Sequence, residues 1–350
     1  MNALQSLKWL CFCLSFMLLQ ACSDEPSAVK DAQSMSTTTT MSRDHSAVPT
    51  AQGGLALLAL FPQTITSSAW NQGGYQGATK LTASLGMPFH YLESVQFSDV
   101  ERFKAEVGAE IKRHNIRLVL AHGGQFVNAT SELAKAFPRV NFIVNSDCAG
   151  NNINLGCLSF DWDELGQLTG IAAGLKSRTG QIGFIGGMRL NILQQMAQGI
   201  RHGAQHINPN IELTEVYLNS WSDDTQALIE AEKMIKKGVD VVAINADPAS
   251  LKLYPIFAQA GIAIIGRDLQ LYADKPATLL ANVRLETSRL IEYGLSQILQ
   301  GRWEGKLYRF GIDDQVQQVE LTSGALEPEK QQRFDTLAQQ LLSRQLELTH

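Results

Sequence analysis

From Leu55 onward the sequence alternates short apolar runs with amphipathic stretches, and this alternation restricts the possible folds more than any other feature. Runs such as LVLA, VVAI and AIIG are typical of buried strands in parallel sheets that helices cover on both faces. A length of about 295 residues exceeds what one core usually organises, so the pattern predicts two doubly wound α/β lobes. The candidate strands are 55–61, 89–95, 116–121, 140–145, 181–185, 212–218, 239–244 and 262–266. The candidate helices are 70–86, 99–114, 129–137, 162–175, 190–207, 223–237 and 248–260.

The segment after Gly266 indicates how the lobes are joined. It contains a further strand (278–283), a helix (285–299), a predicted hairpin (307–312 with 316–321) and a closing helix (328–342). The strand and the helix at 278–300 can complete the first lobe, which otherwise has only four or five strands. The chain would then cross between lobes near Leu158, Gly266 and Gly301, and three crossings form a hinge that can close over a ligand.

These crossings divide the chain into four predicted parts. Two of them precede the lobes, and each lobe is assembled from two separate segments. The parts are a signal peptide (1–21), a tether (22–53), a first lobe (54–157 plus 267–300) and a second lobe (158–266 plus 301–345).

The N-terminal segment has the features of a lipoprotein signal. Lys8 precedes the apolar run WLCFCLSFMLL, which is about half the length that a membrane span requires. Leu19-Gln20-Ala21-Cys22 then resembles a bacterial lipobox, in which the thiol of Cys22 would be acylated and would anchor the chain to a bilayer. The alternative is an ordinary signal peptide with an incidental cysteine. We expect a protein of the cell envelope that faces the periplasm or the exterior.

The segment that follows Cys22 is typical of a flexible tether. Residues 23–53 contain no aromatic side chain, four consecutive threonines and scattered charges, so they cannot bury enough apolar surface to fold. Beyond this tether only Cys148 and Cys157 remain, on either side of a short loop. They could form a disulfide in an oxidising compartment, or they could be two unpaired thiols.

Composition and motifs exclude several classes of function. The formal net charge of −5, with both signs interspersed, provides no basic surface for nucleic acid. Gly183, Gly186 and Gly187 do not have the Gly-x-Gly-x-x-Gly spacing of a dinucleotide site, and no P-loop, Gly-x-Ser-x-Gly elbow or zinc helix occurs in the sequence. We therefore expect no cofactor, no metal and no catalytic residue. His122 follows a predicted strand, where a single histidine is more typical of a hydrogen-bonding wall residue than of a general base.

Aromatic, amide and carboxylate side chains recur where the predicted strands end. In open α/β sheets, ligands bind outside the carboxyl ends of the strands, so these positions are the candidates for a binding site. Aromatic rings offer stacking faces, and amides and carboxylates direct hydrogen bonds to a small planar or sugar-like molecule. Each also has a structural alternative, because the tryptophans could be packing residues and Asp147 could close a turn. The candidates are Trp70, Asn71, Phe126, Asp147, Trp221, Asn245 and Asp268.

Several motifs in order resemble the basic membrane protein family of substrate-binding lipoproteins, which includes purine-nucleoside receptors of ABC importers. Its most distinctive run is similar to Glu164-x-Gly166-x-Leu168-x-Gly170-x-Ala172, which is followed by Gly180-x-Ile182-Gly183-Phe184-Ile185-Gly186-Gly187. Further matches are Trp70-Asn71 with Gly77, His122-Gly123-Gly124-Gln125-Phe126, Ser220-Trp221-x-Asp223, Ile265-Gly266-x-Asp268 and Gly301-x-Trp303-x-Gly305.

The resemblance implies a type-1 periplasmic-binding fold that holds a nucleoside-like ligand between its lobes. It implies that Phe126 and Trp221 stack on the base, that Asp268 holds the ribose hydroxyls and that Asn71 contacts a polar edge. The cation that often follows the strand at 278–283 in the family has Arg284 as its nearest candidate. The function implied is a lipid-anchored receptor that delivers a nucleoside or purine to an ABC permease. The alternatives are a sensory lipoprotein with another membrane partner and an exported nucleoside-processing enzyme.

Overall fold

The computed structural model describes residues 55–269 and 275–348, which form two α/β lobes. Each lobe is built on one six-stranded sheet with helices packed against it. The predicted architecture of two doubly wound, mainly parallel sheets is therefore confirmed. The predicted signal peptide (1–21) and the predicted tether (22–53), including Cys22, lie outside the described residues.

The first lobe contains a sheet in which every strand is parallel to its neighbours. Its strands are β1 (Leu57–Leu60), β2 (Phe89–Leu92), β3 (Leu118–Ala121), β4 (Asn141–Asn145), β5 (Leu155–Phe160) and β11 (Leu307–Phe310). They lie in the order β11-β5-β4-β3-β1-β2. The helices of this lobe are α1 (Ala69–Leu85), α2 (Val100–Arg113), α3 (Val127–Ala136) and α8 (Thr287–Leu299).

The second lobe repeats this plan with one antiparallel strand at an edge. Its strands are β6 (Gln181–Gly186), β7 (Glu212–Tyr217), β8 (Val241–Asn245), β9 (Ala263–Arg267), β10 (Leu279–Leu285) and β12 (Gln317–Leu321). They lie in the order β12-β10-β9-β8-β6-β7, and β12 runs antiparallel to β10. The helices of this lobe are α4 (Trp162–Lys176), α5 (Asn191–Ile207), α6 (Asp224–Lys237), α7 (Ser250–Gln259) and α9 (Pro328–Leu342).

Local sequence signals explain where several of these helices begin. The side chains of Ser68, Asp99, Asp161 and Asp223 each accept a hydrogen bond from the backbone N–H three residues later, at the starts of α1, α2, α4 and α6. Such capping satisfies N–H groups that have no partner within the helix. Because these signals are local, the predicted helices begin within two residues of the observed ones.

The long-range pairing of three strands differs from the prediction. Strand β5 was not predicted. Without it the predicted first sheet had too few strands, and the segment at 278–283 was therefore assigned to that sheet. That segment is β10, and it belongs to the second sheet, whereas α8 belongs to the first lobe as expected. The predicted hairpin of 307–312 and 316–321 is wrong, because β11 and β12 join different sheets.

The chain crosses between the lobes at three places, two of which differ from those predicted. The crossing after β5 lies near Leu158, as predicted, whereas the other two follow β10 and β11 rather than lying near Gly266 and Gly301. Gln317, which is fully buried, donates hydrogen bonds from its amide to the Asp161 carbonyl (2.9 Å) and to the Glu164 carboxylate (2.8 Å). The Glu286 N–H donates to the Val316 carbonyl (2.7 Å), so hydrogen bonds join the three crossings into one hinge.

Within residues 55–269 and 275–348, no helix has both the length and the apolar character needed to cross a bilayer.

Candidate functional site

A cavity of about 290 Å³ lies between the lobes, at the carboxyl ends of strands from both sheets. The first lobe contributes residues that follow β1, β2 and β3. The second contributes residues that follow β6 and β7 and residues at the ends of β8 and β9. The volume is near the lower end of the range for small-molecule sites, which begins at about 300 Å³. The cavity is thus suited to a compact ligand, and it lies at the edge where α/β sheets bind ligands.

Aromatic rings from both lobes form the walls of the cavity. Trp70 and Phe97 come from the first lobe, Trp221 comes from the second, and Trp162 follows the first hinge crossing. A Cβ atom at Gly187 would lie 2.2 Å from the indole of Trp221, so this ring packs directly on the glycine backbone. Flat apolar walls of this kind favour a planar or ring-shaped ligand.

Asn71 lines the cavity, and its side-chain carbonyl oxygen has no hydrogen-bond partner among the described residues. Its amide nitrogen donates to the Thr64 carbonyl (3.2 Å) and to the Ser67 hydroxyl oxygen (3.2 Å). The Thr64 carbonyl can only accept, which fixes which end of the amide is the nitrogen. Asn71 is 1% exposed, and its Oδ1 has no hydrogen-bond partner among the described residues. The Oδ1 atom is therefore a buried acceptor that the described residues leave without a donor.

The charged side chains that line the described part of the cavity are Asp247 and Arg267, which form an ion pair at 3.0 Å. Burial raises the pKa of the Asp247 carboxyl, although Arg267 and a hydrogen bond from the Ser68 hydroxyl act in the opposite direction. Ser68 belongs to the first lobe and Asp247 to the second, so the two lobes approach each other here. Asn245, the last residue of β8, also lines the cavity.

His122 lies behind Trp70, fully buried and outside the cavity lining. Its ring stacks on the indole of Trp70 with centroids 4.6 Å apart and an interplanar angle of 24°. Burial lowers the pKa of His122 to about 4, so the ring is neutral at physiological pH. It is a hydrogen-bonded residue, as the sequence indicated, but it supports the wall rather than forming it.

Three of the candidate residues lie outside the cavity lining. The ring of Phe126 is fully buried in the core of the first lobe, edge-on to Phe97 at 5.7 Å, and Phe97 is the aromatic residue that reaches the cavity. The Asp268 carboxylate accepts a hydrogen bond from the Leu285 N–H at 2.9 Å, which ties the end of β9 to β10. The structure thus places Trp70, Asn71, Trp221 and Asn245 together and Phe126, Asp147 and Asp268 elsewhere.

Asp147 joins the two lobes instead of lining the cavity. Its carboxylate Oδ2 accepts a hydrogen bond from Gln195 of α5 at 2.7 Å and pairs with Arg309 of β11 at 2.9 Å.

Cys148, which follows Asp147 in the sequence, forms a disulfide with Cys157. The sequence alone allowed either this disulfide or two unpaired thiols. Arg284 pairs with Glu286 and Glu320 and does not line the cavity.

Sequence reasoning missed Phe97, Trp162, Asp247 and Arg267 as cavity residues. Asp247 follows β8 and Arg267 ends β9, at the carboxyl edge where ligand sites are expected, but the family motif Ile265-Gly266-x-Asp268 pointed to Asp268 instead. Trp162 follows β5, the strand that was not predicted. No group of histidine, cysteine, aspartate and glutamate side chains suited to a metal ion occurs in the part of the chain that the structure describes.

Comparison with curated proteins identifies several relatives. The chain is 24% identical to the transcriptional activator protein med of Bacillus subtilis over 79% of this chain and 86% of that protein. It is 26% identical to an ABC transporter nucleoside-binding protein of Lactococcus lactis over 51% of each chain. It is 24% identical to a purine-binding protein of Brucella abortus over 70% of this chain and 69% of that one. The chain spans about half the length of several curated relatives that it matches.

Solved structures with the same fold include solute-binding proteins. An ABC transporter solute-binding protein of Aeropyrum pernix aligns with a TM-score of 0.71 at 16% identity, over 84% of this chain and 92% of that one. A transcriptional activator of the comK gene from Bacillus halodurans aligns with a TM-score of 0.68 at 19% identity, over 83% and 99% of the two chains. These alignments confirm the type-1 periplasmic-binding fold.

The resemblance seen in the sequence motifs is confirmed by a family model. The model described as ABC transporter substrate-binding protein PnrA-like matches residues 56–349, which include both lobes and the cavity between them. The chain therefore belongs to the Bmp family of PnrA-like ABC transporter substrate-binding proteins.

Proposed function

We propose that this protein is a lipid-anchored receptor that closes on a nucleoside-like or purine ligand and delivers it to an ABC importer. The observation that carries the proposal is the cavity between the lobes, whose walls are aromatic. Its lining includes Asn71, whose buried Oδ1 has no hydrogen-bond partner among the described residues. The nucleoside- and purine-binding names of two relatives support the ligand class. Acylation of Cys22 would keep the receptor beside its membrane partner.

The chemistry of the cavity supports a purine ring more directly than a small acyclic solute. A purine is planar and aromatic, so it can contact indole faces such as those of Trp70 and Trp221. Its edge carries both donors and acceptors that buried amides can pair with. The cavity of about 290 Å³ leaves little room beyond one compact ligand.

A sensory role is the second candidate. The relative from Bacillus subtilis, which aligns over 79% of this chain, carries the name of a transcriptional activator. Transport and sensing use the same ligand-driven closure, so they differ only in the partner that recognises the closed form. Loss of nucleoside uptake on deletion of the gene supports transport, whereas normal uptake with a lost transcriptional response supports sensing. An exported enzyme is disfavoured because the family is one of binding proteins.

A thermal-shift screen of purine nucleosides, purine bases and sugars tests the ligand class. We expect nucleosides or bases to stabilise the protein, since a ligand at a hundredfold excess over its dissociation constant adds about 2.7 kcal/mol. Calorimetry should then show stoichiometric binding without turnover. Release of free base and sugar from a nucleoside would instead assign the protein to the enzymes.

Trp221→Ala and Trp303→Ala form a matched pair of variants for this screen. Trp221 lines the cavity, whereas Trp303 stacks on Tyr308 at 5.1 Å and does not line it. Removal of a stacking face costs about 1–3 kcal/mol of binding, so only Trp221→Ala should lose the ligand-induced shift. Equal losses in both variants, or no stabilisation of the parent protein by any purine, would remove the basis for the proposed ligand.

The acceptor on Asn71 predicts which purine nucleosides bind well. Adenosine offers its exocyclic amine and inosine offers its N1–H, whereas purine riboside has neither donor. An unsatisfied buried acceptor costs about 1–3 kcal/mol, so purine riboside should bind about tenfold more weakly than adenosine or inosine. Asn71→Leu removes the acceptor at similar volume and should abolish this difference. Isothermal titration of the three ligands against both proteins measures it, and equal affinity of all three for the parent protein would contradict the assignment.

A further inference from the structure

The Trp70 indole is held from behind by one buried side chain. His122 stacks on it at 4.6 Å, and its Nε2 donates a hydrogen bond to the backbone carbonyl of Trp70 at 2.8 Å. The same residue therefore contacts both the ring and the backbone of Trp70. His122 itself does not reach the cavity.

The hydrogen bonds of His122 fix the orientation and the tautomer of its ring. The Trp70 carbonyl can only accept, so the ring proton is on Nε2. The Nδ1 atom then accepts a hydrogen bond from the side-chain amide of Asn145 at 3.1 Å. Both ring nitrogens are thus satisfied. A flipped ring would place carbon atoms at both positions, and the other tautomer would oppose two donors at Nδ1 and two acceptors at Nε2.

Close packing holds the His122 ring on its remaining sides. A Cβ atom at Gly74 would lie 2.4 Å from the ring, so α1 can approach His122 only because this position is glycine. The ring of Phe61 packs at 5.4 Å. A core position that only needed filling would take an apolar side chain, because burial of a polar ring is costly unless its nitrogens are paired.

We propose that His122 is a positioning residue that holds the Trp70 indole in the orientation in which it binds the ligand. This inference rests on the proposed function, because it concerns the same cavity. A wall held before the ligand arrives loses less conformational entropy on binding, so affinity should depend on His122 although it does not touch the ligand.

A double-mutant cycle between His122 and Trp70 tests the proposal. His122→Phe keeps a ring but removes both hydrogen bonds, and it should weaken purine-nucleoside binding about tenfold. In a Trp70→Ala background the same change should have no further effect. His122→Gln can keep both hydrogen bonds without the ring, and its affinity should lie between those of the parent and His122→Phe. Equal effects of His122→Phe in the two backgrounds would overturn the proposal.

A matched core variant and a ligand-free spectrum separate this effect from general destabilisation. Val107→Ala creates a small cavity in the same lobe at a fully buried position that does not line the ligand cavity, and it should leave affinity unchanged. The near-UV circular dichroism of Trp70, obtained as the difference from Trp70→Ala, should shrink in both His122 variants. An unchanged Trp70 signal in both would contradict positioning. Absence of nucleoside binding by the parent protein would contradict the proposed function alone, because the spectrum needs no ligand.

Discussion

Replacement of Gly203 by alanine is expected to destabilise the protein by about 3 kcal/mol, the upper part of the usual range for overpacking. Helices α4 and α5 cross with their backbones in contact, so a Cβ atom at Gly203 would lie 2.0 Å from the Gln167 carbonyl oxygen. A Cβ atom at Gly170 would lie 2.1 Å from the Ile200 carbonyl oxygen. Because these neighbours are backbone atoms, only a separation of the helices can relieve the clash. That separation would disrupt a packed core and outweigh the roughly 1 kcal/mol that alanine gains in helix propensity.

Denaturant unfolding of Gly203→Ala and Gly108→Ala measures this effect with a matched control. Gly108 also lies in a helix interior, but its added Cβ atom would meet only the far end of the Phe137 ring at 3.2 Å. A side chain can move by a few tenths of an ångström, so this control should change stability by less than about 1 kcal/mol. If Gly203→Ala were as stable as the control, the close approach of α4 and α5 would be incorrect.

Loss of the disulfide between Cys148 and Cys157 is expected to cost about 2.5 kcal/mol, from the loop-closure entropy of a short loop. The two cysteines are nine positions apart in sequence; Cys148 lies in the loop that connects β4 to β5, and Cys157 lies in β5. Asn154 within this loop donates hydrogen bonds to the carbonyl groups of Ala134, Phe137 and Val140. Loosening of the loop therefore also weakens the contact between α3 and the sheet.

Unfolding of the parent protein with and without a thiol reductant, beside a Cys148→Ala, Cys157→Ala double variant, measures this contribution. The parent should lose about 2.5 kcal/mol on reduction, and the double variant should be insensitive to the reductant. Reductant-independent stability of the parent would show that the two thiols are not joined in solution.

The sequence predicted local structure better than sheet membership. The helices followed from apolar periodicity and capping residues such as Asp99 and Asp223, which act within a few residues. The positions of β10 and β11 depend instead on which distant strands they pair with. Both segments are short and apolar in part, and nothing within either one distinguishes the two sheets. β5 was missed because its sequence, LGCLSF, contains a glycine and small polar residues that are not typical of a buried strand.

The site was predicted in position but only partly in its residues. Trp70, Asn71, Trp221 and Asn245 were found because ligand sites lie after strands, which is a property of the topology. The direction of a side chain depends on the backbone of its turn, which the residue type alone does not reveal. Phe126 follows the turn at Gly123 (φ 139°) and faces the core, and Asp268 (φ 52°) turns back onto the next strand. The alternation of strands and helices does not encode these directions.

The contacts that join the lobes influence the apparent affinity for any ligand, because they stabilise the closed form. The hydrogen bond from Gln195 to Asp147 connects the lobes through protein groups alone. Part of the free energy that favours the closed form is therefore present before any ligand binds. Apparent affinity is the intrinsic affinity multiplied by the population of the competent form. Substitution of a residue that joins the lobes, such as Gln195, should thus change the affinity for every ligand by one common factor. Selectivity between ligands, which the cavity walls determine, should stay unchanged.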